Sequence, residues 1–488
     1  RFIKMDLKDP ASLLDLAMQC LLKNEPIIIQ SLEEIPRELL IPLFCAAFLG
    51  GHKKTLTAIV KVWPFFCLHV GKLRSHETHS ALLKAMIDGL QVLPAPNSAS
   101  RGSKLKILDL RQDANCRTTC FPIRTKSPFC FHSCSYTQTS SRKRKGKHST
   151  VNLGSEVQLS RYPTELLVDL SLDGTLRTST FLSLLLSKVE QSSGALHLCC
   201  RDLQVDKLSD YNNTLKLLNL LCIDHLAVDQ ASLNDINTLL SQMVHLDSLS
   251  LSKITLTSLN AKIFKSFLTQ LERMDNLQEL NLSFFCLTNR LHKLLRVLPH
   301  DLDYLNLPFC ELSYRDFRFL SQCPQAAHLK LLNLSNNPIS WEDEPLQTLM
   351  ENVSGTLQHL EINHCLITDS TIFSLLPALS HCSHLRVLSF ASNPITMSML
   401  MRVLENLLPL MELKYVIYPI PVHCYERWYF QGTLDRQKLA DVQVQLKAML
   451  QAAQRGDMNW ITFSECIHTK IDLNILTNQF LCPTKKPN

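Results

Sequence analysis

The sequence predicts an α/β solenoid in which short parallel strands alternate with outer helices, and three observations carry that prediction. Apolar residues recur in the order L-x-x-L-x-L-x-x-(N/C)-x-L, clear copies begin 27, 28 and 28 residues apart, and the segments between copies change to helical spacing. The copies are Leu302, Leu305, Leu307, Cys310, Leu312; Leu329, Leu332, Leu334, Asn337, Ile339; Leu357, Leu360, Ile362, Cys365, Ile367; and Leu385, Leu388, Phe390, Asn393, Ile395. This is the period of leucine-rich repeats. Within a copy the x-L-x-L core alternates as a strand does, and the Asn or Cys is placed to bond backbone groups left unpaired beyond it.

Helical spacing from Trp341 to Val353 and from Thr368 to Leu379 supplies the second half of each repeat. No single unit buries its leucines alone, so stacked units are expected to form a horseshoe with parallel concave strands and helices outside. Weaker copies extend the array. Leu277, Leu280, Leu282 and Leu287 fit, with Phe285 where Asn or Cys should stand, and Leu246, Leu249, Leu251 and Ile254 begin another. Leu413, Val416 and Tyr418 resemble a closing strand, while Leu105, Leu108 and Leu110, then residues 166–172 and 196–203, are strand-like but irregularly spaced. Four regions follow: a helical head at 1–75, degenerate repeats at 76–245, regular repeats at 246–412 and a C-terminal cap at 413–488.

Composition narrows the class. The 488 residues contain no apolar run near the roughly 20 needed to cross a bilayer. Residues 1–10 carry no signal-peptide core, so the 18 cysteines are expected as free thiols in reducing surroundings, cytoplasmic and nuclear. The net charge of +6 is modest and is concentrated in Arg142, Lys143, Arg144, Lys145 and Lys147. They lie in a loop at about 113–160 expected to be flexible, where a nuclear-localisation signal and a solvated basic loop are both open readings. Direct nucleic-acid binding is not expected, because that cluster lacks interleaved aromatics.

Candidate metal ligands do not assemble into a known pattern. Cys116, Cys120, Cys130 and Cys134 flank His132 at loose spacing, and Cys466, His468 and Cys482 supply only three ligands, so no metal and no cofactor is expected. There is no G-x-x-x-x-G-K-(S/T) loop, no RING-type ligand set and no recognisable catalytic cysteine. The chain is therefore expected to be non-catalytic.

The head carries two short patterns. Ser12, Leu13, Ala17 and Leu21 approximate the (S/T/A)-L-x-x-x-C-x-x-x-(A/I/L/V) box by which substrate receptors bind elongin C, with Ala17 at the Cys position. After a short linker, Ile35, Pro36, Leu39 and Leu43 fit the Φ-P-x-x-Φ-x-x-x-Φ pattern that follows such boxes in receptors using cullin-2. Helices are expected over Ser12 to Lys23 and Pro36 to Phe48, and either pattern could also belong to a plain N-terminal cap.

The segment 14–25, followed by Ile35 to Leu39, Ala46 to Phe48 and Val62 to Phe65, resembles the N-terminal signature of the PRAME family. Further matches lie at Leu105 to Arg111, Val168 to Leu170, Leu196 to Arg201, Ala378 to Ser383 and Tyr418 to Val422 with Tyr425 and Glu426. The resemblance implies a substrate-recognition adaptor of a cullin-2 ubiquitin ligase, with elongin C, elongin B and cullin-2 as partners beside an unknown protein substrate. It also implies links to repression of retinoic-acid-receptor transcription, differentiation, apoptosis and proliferation.

Two other readings stay open: a corepressor scaffold binding a nuclear receptor, and a plain leucine-rich-repeat interaction module. The C-terminal L-x-x-L-L box of the family's best-known member is broken here by Met449, between Leu446 and Leu450. The pattern survives at Leu182, Leu185, Leu186; Leu217, Leu220, Leu221; Leu291, Leu294, Leu295; and Leu404, Leu407, Leu408. A target-holding surface is expected on the concave strand positions Ser248, Ser250, Glu279, Asn281, Tyr304, Asn306, Asn333, His359, Glu361 and Ser389, a polar face suited to a protein partner.

Overall fold

The structure is a computed structural model that describes residues 12–65, 67–70, 80–90, 103–111, 163–255, 261–339, 344–426 and 432–468. It has two compact units, one comprising Arg1–Asp206 with Asp210–Asp224, the other Lys207–Ser209 with His225–Asn488. Throughout, parallel strands alternate with helices as a leucine-rich-repeat solenoid does, behind an N-terminal set of helices.

In the first unit, α1 (Leu13–Leu22), α2 (Glu25–Ser31), α3 (Arg37–Leu49) and α4 (Lys53–Lys61) precede β1 (Cys67–His69), α5 (Ser80–Leu90) and β2 (Ile107–Asp109). Two longer strands follow, β3 (Thr164–Leu172) and β4 (Leu196–Lys207), separated by the helix Leu176–Gln191. The four strands pair in parallel in that order, with Leu108 opposite Leu68 and Leu166. The irregular leucines upstream thus lie on strands of the parallel array, and a further strand, β1, lies inside the stretch expected to be a helical head. It was missed because Cys67-Leu-His69 is too short to show alternation.

The helix α2 also departs from expectation, since the sequence predicts a short linker there. Its sequence Glu25-Pro-Ile-Ile-Ile-Gln-Ser31 is β-branched, which disfavours a helix locally. Pro26 in the first turn is compatible with a helix, and burial of Ile28 and Leu32 outweighs the propensity. Further along, Phe44 meets Trp63 edge-on at 5.7 Å, and the Trp63 indole donates to the Cys67 carbonyl at 3.1 Å, tying the helices to the first strand. α4 and α5 approach so closely that a Cβ on Gly89 would stand 2.8 Å from the Thr57 carbonyl oxygen.

One buried ion cluster stiffens the early strands. The Asp109 carboxylate, on β2, meets His69 Nδ1 at 3.0 Å and accepts from Arg111 Nε and Nη2 at 2.9 Å each. Burial alone would raise its pKa, but the hydrogen bonds from His69 and Arg111 outweigh it and hold Asp109 down at about 2. Because the folded value lies below the ordinary one, the stabilisation is present above about pH 4 and is lost as pH falls towards 2. An acid titration of unfolding should show about 2 kcal/mol disappearing in that window, and Asp109→Asn should flatten it.

The second unit contains β5 (His225–Ser232), β6 (Ser248–Ser252), β7 (Ile254–Thr255), β8 (Glu279–Ser283), β9 (Tyr304–Asn306) and β10 (Leu331–Asn333). Then come β11 (His359–Glu361), β12 (Val387–Ser389), β13 (Tyr415–Ile417) and β14 (Asn459–Ile461). All pair in parallel; β7 extends beside β5, and Leu280, Leu305, Leu332, Leu360, Leu388 and Val416 stand in one register row. The intervening helices include Glu344–Val353 and Asp369–Ser380, as the spacing predicts, and the repeat leucines are fully buried. Trp341 lies outside the described residues.

Asn and Cys alternate at the turn and do different amounts of bonding. Asn337 Oδ1 accepts from Cys310 N and Leu312 N at 3.1 Å each, and its amide donates to the Leu307 and Leu334 carbonyls at 2.7 and 3.0 Å. Asn393 repeats the arrangement with Cys365 N, Ile367 N, Ile362 O and Phe390 O. Each cysteine contributes only its thiol, Cys310 Sγ donating to the Leu282 carbonyl at 2.9 Å and Cys365 Sγ to the Leu334 carbonyl at 3.3 Å. Burial pushes the Cys365 thiol up to about 12, so it remains a protonated packing group. The odd Phe285 fills the same position with its ring, 5.7 Å from Phe267, and is fully buried.

The array does not close at Leu413. β13 is followed by the helix Arg436–Ala452 and then by β14, a further strand that lacks the leucine pattern. Arg455 does part of the joining there. Its buried guanidinium donates to the carbonyls of Leu408, Leu410 (3.1 Å) and Leu413 (3.2 Å), and to Asp457 at 2.9 Å. Arg455→Ala would leave those carbonyls without their donor and should cost about 3 kcal/mol in urea unfolding. Arg455→Lys should recover only part, because an ammonium cannot reproduce the planar fork.

Candidate functional site

The head presents an apolar surface that its own core does not use. Ser12 caps α1: its hydroxyl accepts from Asp15 N at 3.2 Å, and its own N–H donates to the Asp15 carboxylate at 3.0 Å. Ser12 and Asp15 form the S-x-x-D signature of a capping box within the longer pattern. The helix is anchored by Met18 and Leu22. The stripe formed by Leu13, Leu14, Leu16, Ala17 and Leu21 instead faces solvent, Leu13 being 85% and Leu21 45% exposed.

The two sequence patterns meet in space. Leu21 from α1 and Ile35, Pro36, Leu39 and Leu43 around the start of α3 line one apolar cleft of about 200 Å³. Met18, Ile27, Ile28 and Ser31 complete its wall, so α2 supplies the part that sequence reasoning missed. Pro36 and Leu39 are exposed, Ile35 is half-buried and Leu43 is fully buried, acting as the floor. Ser12, Leu13 and Ala17 lie outside the cleft lining on the exposed part of α1.

The concave positions require a correction. Asn281, Asn306, Asn333, His359, Glu361 and Ser389 occupy the strands as expected but are buried, while Ser248, Ser250, Glu279 and Tyr304 keep partial exposure. Part of the cause is local. Neighbouring strands stand about 4.8 Å apart, so each side chain is flanked by those on either side, and His359 Nε2 lies 2.7 Å from the Glu361 carboxylate. This row therefore does not offer the open polar face inferred from the strand pattern.

None of the four L-x-x-L-L matches presents three exposed leucines. Leu291, Leu294 and Leu295 are buried, as are Leu182 and Leu185 in the first match and Leu404 and Leu407 in the fourth. Leu217 and Leu221 are exposed, but Leu220 between them is buried and begins a 3-10 turn. The basic cluster Arg142, Lys143, Arg144, Lys145 and Lys147, and the cysteines from Cys116 to Cys134, lie outside the described residues, as does Cys482. Among the described residues there is no group of three His, Cys, Asp or Glu that could hold a metal ion. No described helix is long and apolar enough to cross a membrane.

Leucine-rich repeats together with an N-terminal set of helices that exposes an apolar face are the features of a scaffold of the adaptor class. The chain belongs to the PRAME family: residues 10–116 match the PRAME N-terminal domain and residues 164–478 the PRAME C-terminal domain. It is 32% identical to PRAME family member 12 of Homo sapiens over 445 residues, covering 88% of both chains. It is 31% identical to leucine-rich repeat-containing protein 14 of Mus musculus, covering 92% of this chain and 97% of that one. A yeast structure of a Rad7 and Elc1 complex aligns over 93% of this chain and 99% of that one at 12% identity, but its TM-score of 0.34 carries no argument.

Proposed function

We propose that the chain is the substrate-recognition adaptor of a cullin-2-type ubiquitin ligase, docking on elongin C, elongin B and cullin-2 through its head. The observation that carries this reading is the orientation of α1. A helix serving only to cap the first repeat would turn its leucine stripe inward, whereas here Leu13, Leu14, Leu16 and Leu21 are exposed and two other residues hold the helix in place. Convergence of Leu21 with Ile35, Pro36 and Leu39 on one cleft adds to it, since a partner helix could lay an apolar side chain there.

The repeat units hold a target protein in this scheme. Proximity supplies the effect, because a tethered target meets the ubiquitin-loaded enzyme at high local concentration. Effects on transcription, differentiation, apoptosis and proliferation would follow from which target is removed, in the cytoplasm and nucleus alike. The test is co-purification of the tagged chain with elongin C, elongin B and cullin-2 from cells. Their absence, or their retention after Leu13 and Pro36 are both changed to aspartate, would falsify the docking scheme.

A further inference from the structure

We propose that Ser31 is a phosphorylation site, and that a phosphate on it closes the apolar cleft of the head to its partner. The inference rests on the docking role proposed for that cleft. Ser31 is the last residue of α2 and lines the cleft together with Ile27, Ile28 and Ile35. It is half-exposed, and among the described residues no hydrogen bond engages its hydroxyl. The chain continues Leu32-Glu33-Glu34, and both glutamates are exposed.

Carboxylates two and three residues beyond a serine match a kinase whose substrate groove is basic, by simple charge complementarity. Position matters as much as sequence. Because Ser31 ends its helix, with only a Glu34 N to Ser31 O turn bond of 3.0 Å beyond it, presenting the hydroxyl costs the fraying of one terminal turn. Ser12 also has an acid three residues on, Asp15, but its hydroxyl is already committed to the cap of α1.

In the transfer, Ser31 Oγ bonds to the γ-phosphorus of ATP as the bond to the β,γ-bridging oxygen breaks. ADP leaves, and the hydroxyl proton passes to the kinase's base. The product carries about −1.5 to −2 charges at neutral pH. No cation is among the residues that line the cleft, and Glu33 and Glu34, which follow Ser31 closely in the chain, bear the same sign as the phosphate. It must keep its hydration shell. A hydrated dianion at the wall of an apolar cleft prevents a partner's apolar side chain from seating.

The full chain would be incubated with ATP and an acid-directed Ser/Thr kinase of the casein-kinase-2 type, and the phosphate located by mass spectrometry. Capture of the elongin C, elongin B and cullin-2 complex would then be compared before and after. We expect phosphate on Ser31 and at least tenfold weaker capture, while Ser31→Ala, whatever its untreated level, shows no change in capture on the same treatment. No phosphate at Ser31, or unchanged capture with Ser31 fully modified, overturns the proposal.

Failure of the unmodified chain to capture the complex would sink the docking reading instead. The closure is then judged by Nile red, a neutral apolar dye. A fluorescence drop in the phosphorylated wild type, absent in kinase-treated Ser31→Ala, supports it, and no difference overturns it.

Discussion

Changing Leu13 and Leu21 together to aspartate is expected to weaken capture of elongin C by about a hundredfold to a thousandfold while leaving the thermal midpoint of the chain unchanged. Both side chains are substantially exposed in the free protein, so removing them takes little from the fold. Burying a leucine fully is worth roughly 1.5–3 kcal/mol, and two of them partly buried at an interface account for about 3–4 kcal/mol. At about 1.4 kcal/mol per tenfold, that gives the stated range. Leu13 opens α1, where an added carboxylate favours the helix dipole, and Leu21 lies in its last turn, where one opposes it, so the two effects offset and the thermal midpoint separates lost docking from unwinding.

The informative contrast lies on the other side of the same helix. Met18 and Leu22 are buried, and Leu22→Ala should cost about 2–4 kcal/mol of stability. If Leu13→Asp with Leu21→Asp lowered the thermal midpoint as much as Leu22→Ala, the stripe would be packing surface. The reading of the head as a docking element would then be abandoned.

The second large effect falls on the turn ladder. Asn393→Ala is expected to lower stability by about 4 kcal/mol in urea unfolding. The amide currently satisfies two backbone N–H groups and two close carbonyls, all buried, and alanine leaves them unpaired. Asn393→Cys should be milder, because alternate repeats already hold Cys310 and Cys365, whose thiols each donate to a carbonyl of the preceding repeat. It should not be silent, since a thiol does not accept from the two N–H groups as the amide oxygen does. A shift below about 1 kcal/mol for the alanine variant would mean that water enters the turn and replaces the amide.

How much of this was legible in the chain differs from element to element. Helices at Asp369–Ser380 and Leu13–Leu22 are legible because apolar residues recur at helical spacing within each segment. The strand β14 was not, because Asn459-Trp-Ile461 carries no repeat leucine and depends on a strand already present beside it. The helix α2 was missed for a related reason: three consecutive isoleucines argue locally against a helix that burial then imposes.

The site divides along the same line. Spacing sufficed to name Leu21, Ile35, Pro36, Leu39 and Leu43, yet not to show that they share one cleft, since Met18, Ile27 and Ile28 had to be brought between them. For the strand face, spacing gave the correct side for Asn306 and Glu361 but not their burial.

The chain alone therefore decided the repeat leucines, their period and the capping chemistry of the turns, all of which act within one repeat or between neighbours. Packing decided which apolar residues remain open to a partner. A leucine in an amphipathic stripe looks the same in sequence whether it faces the core or solvent, and only the helices laid against it determine whether water is removed from it.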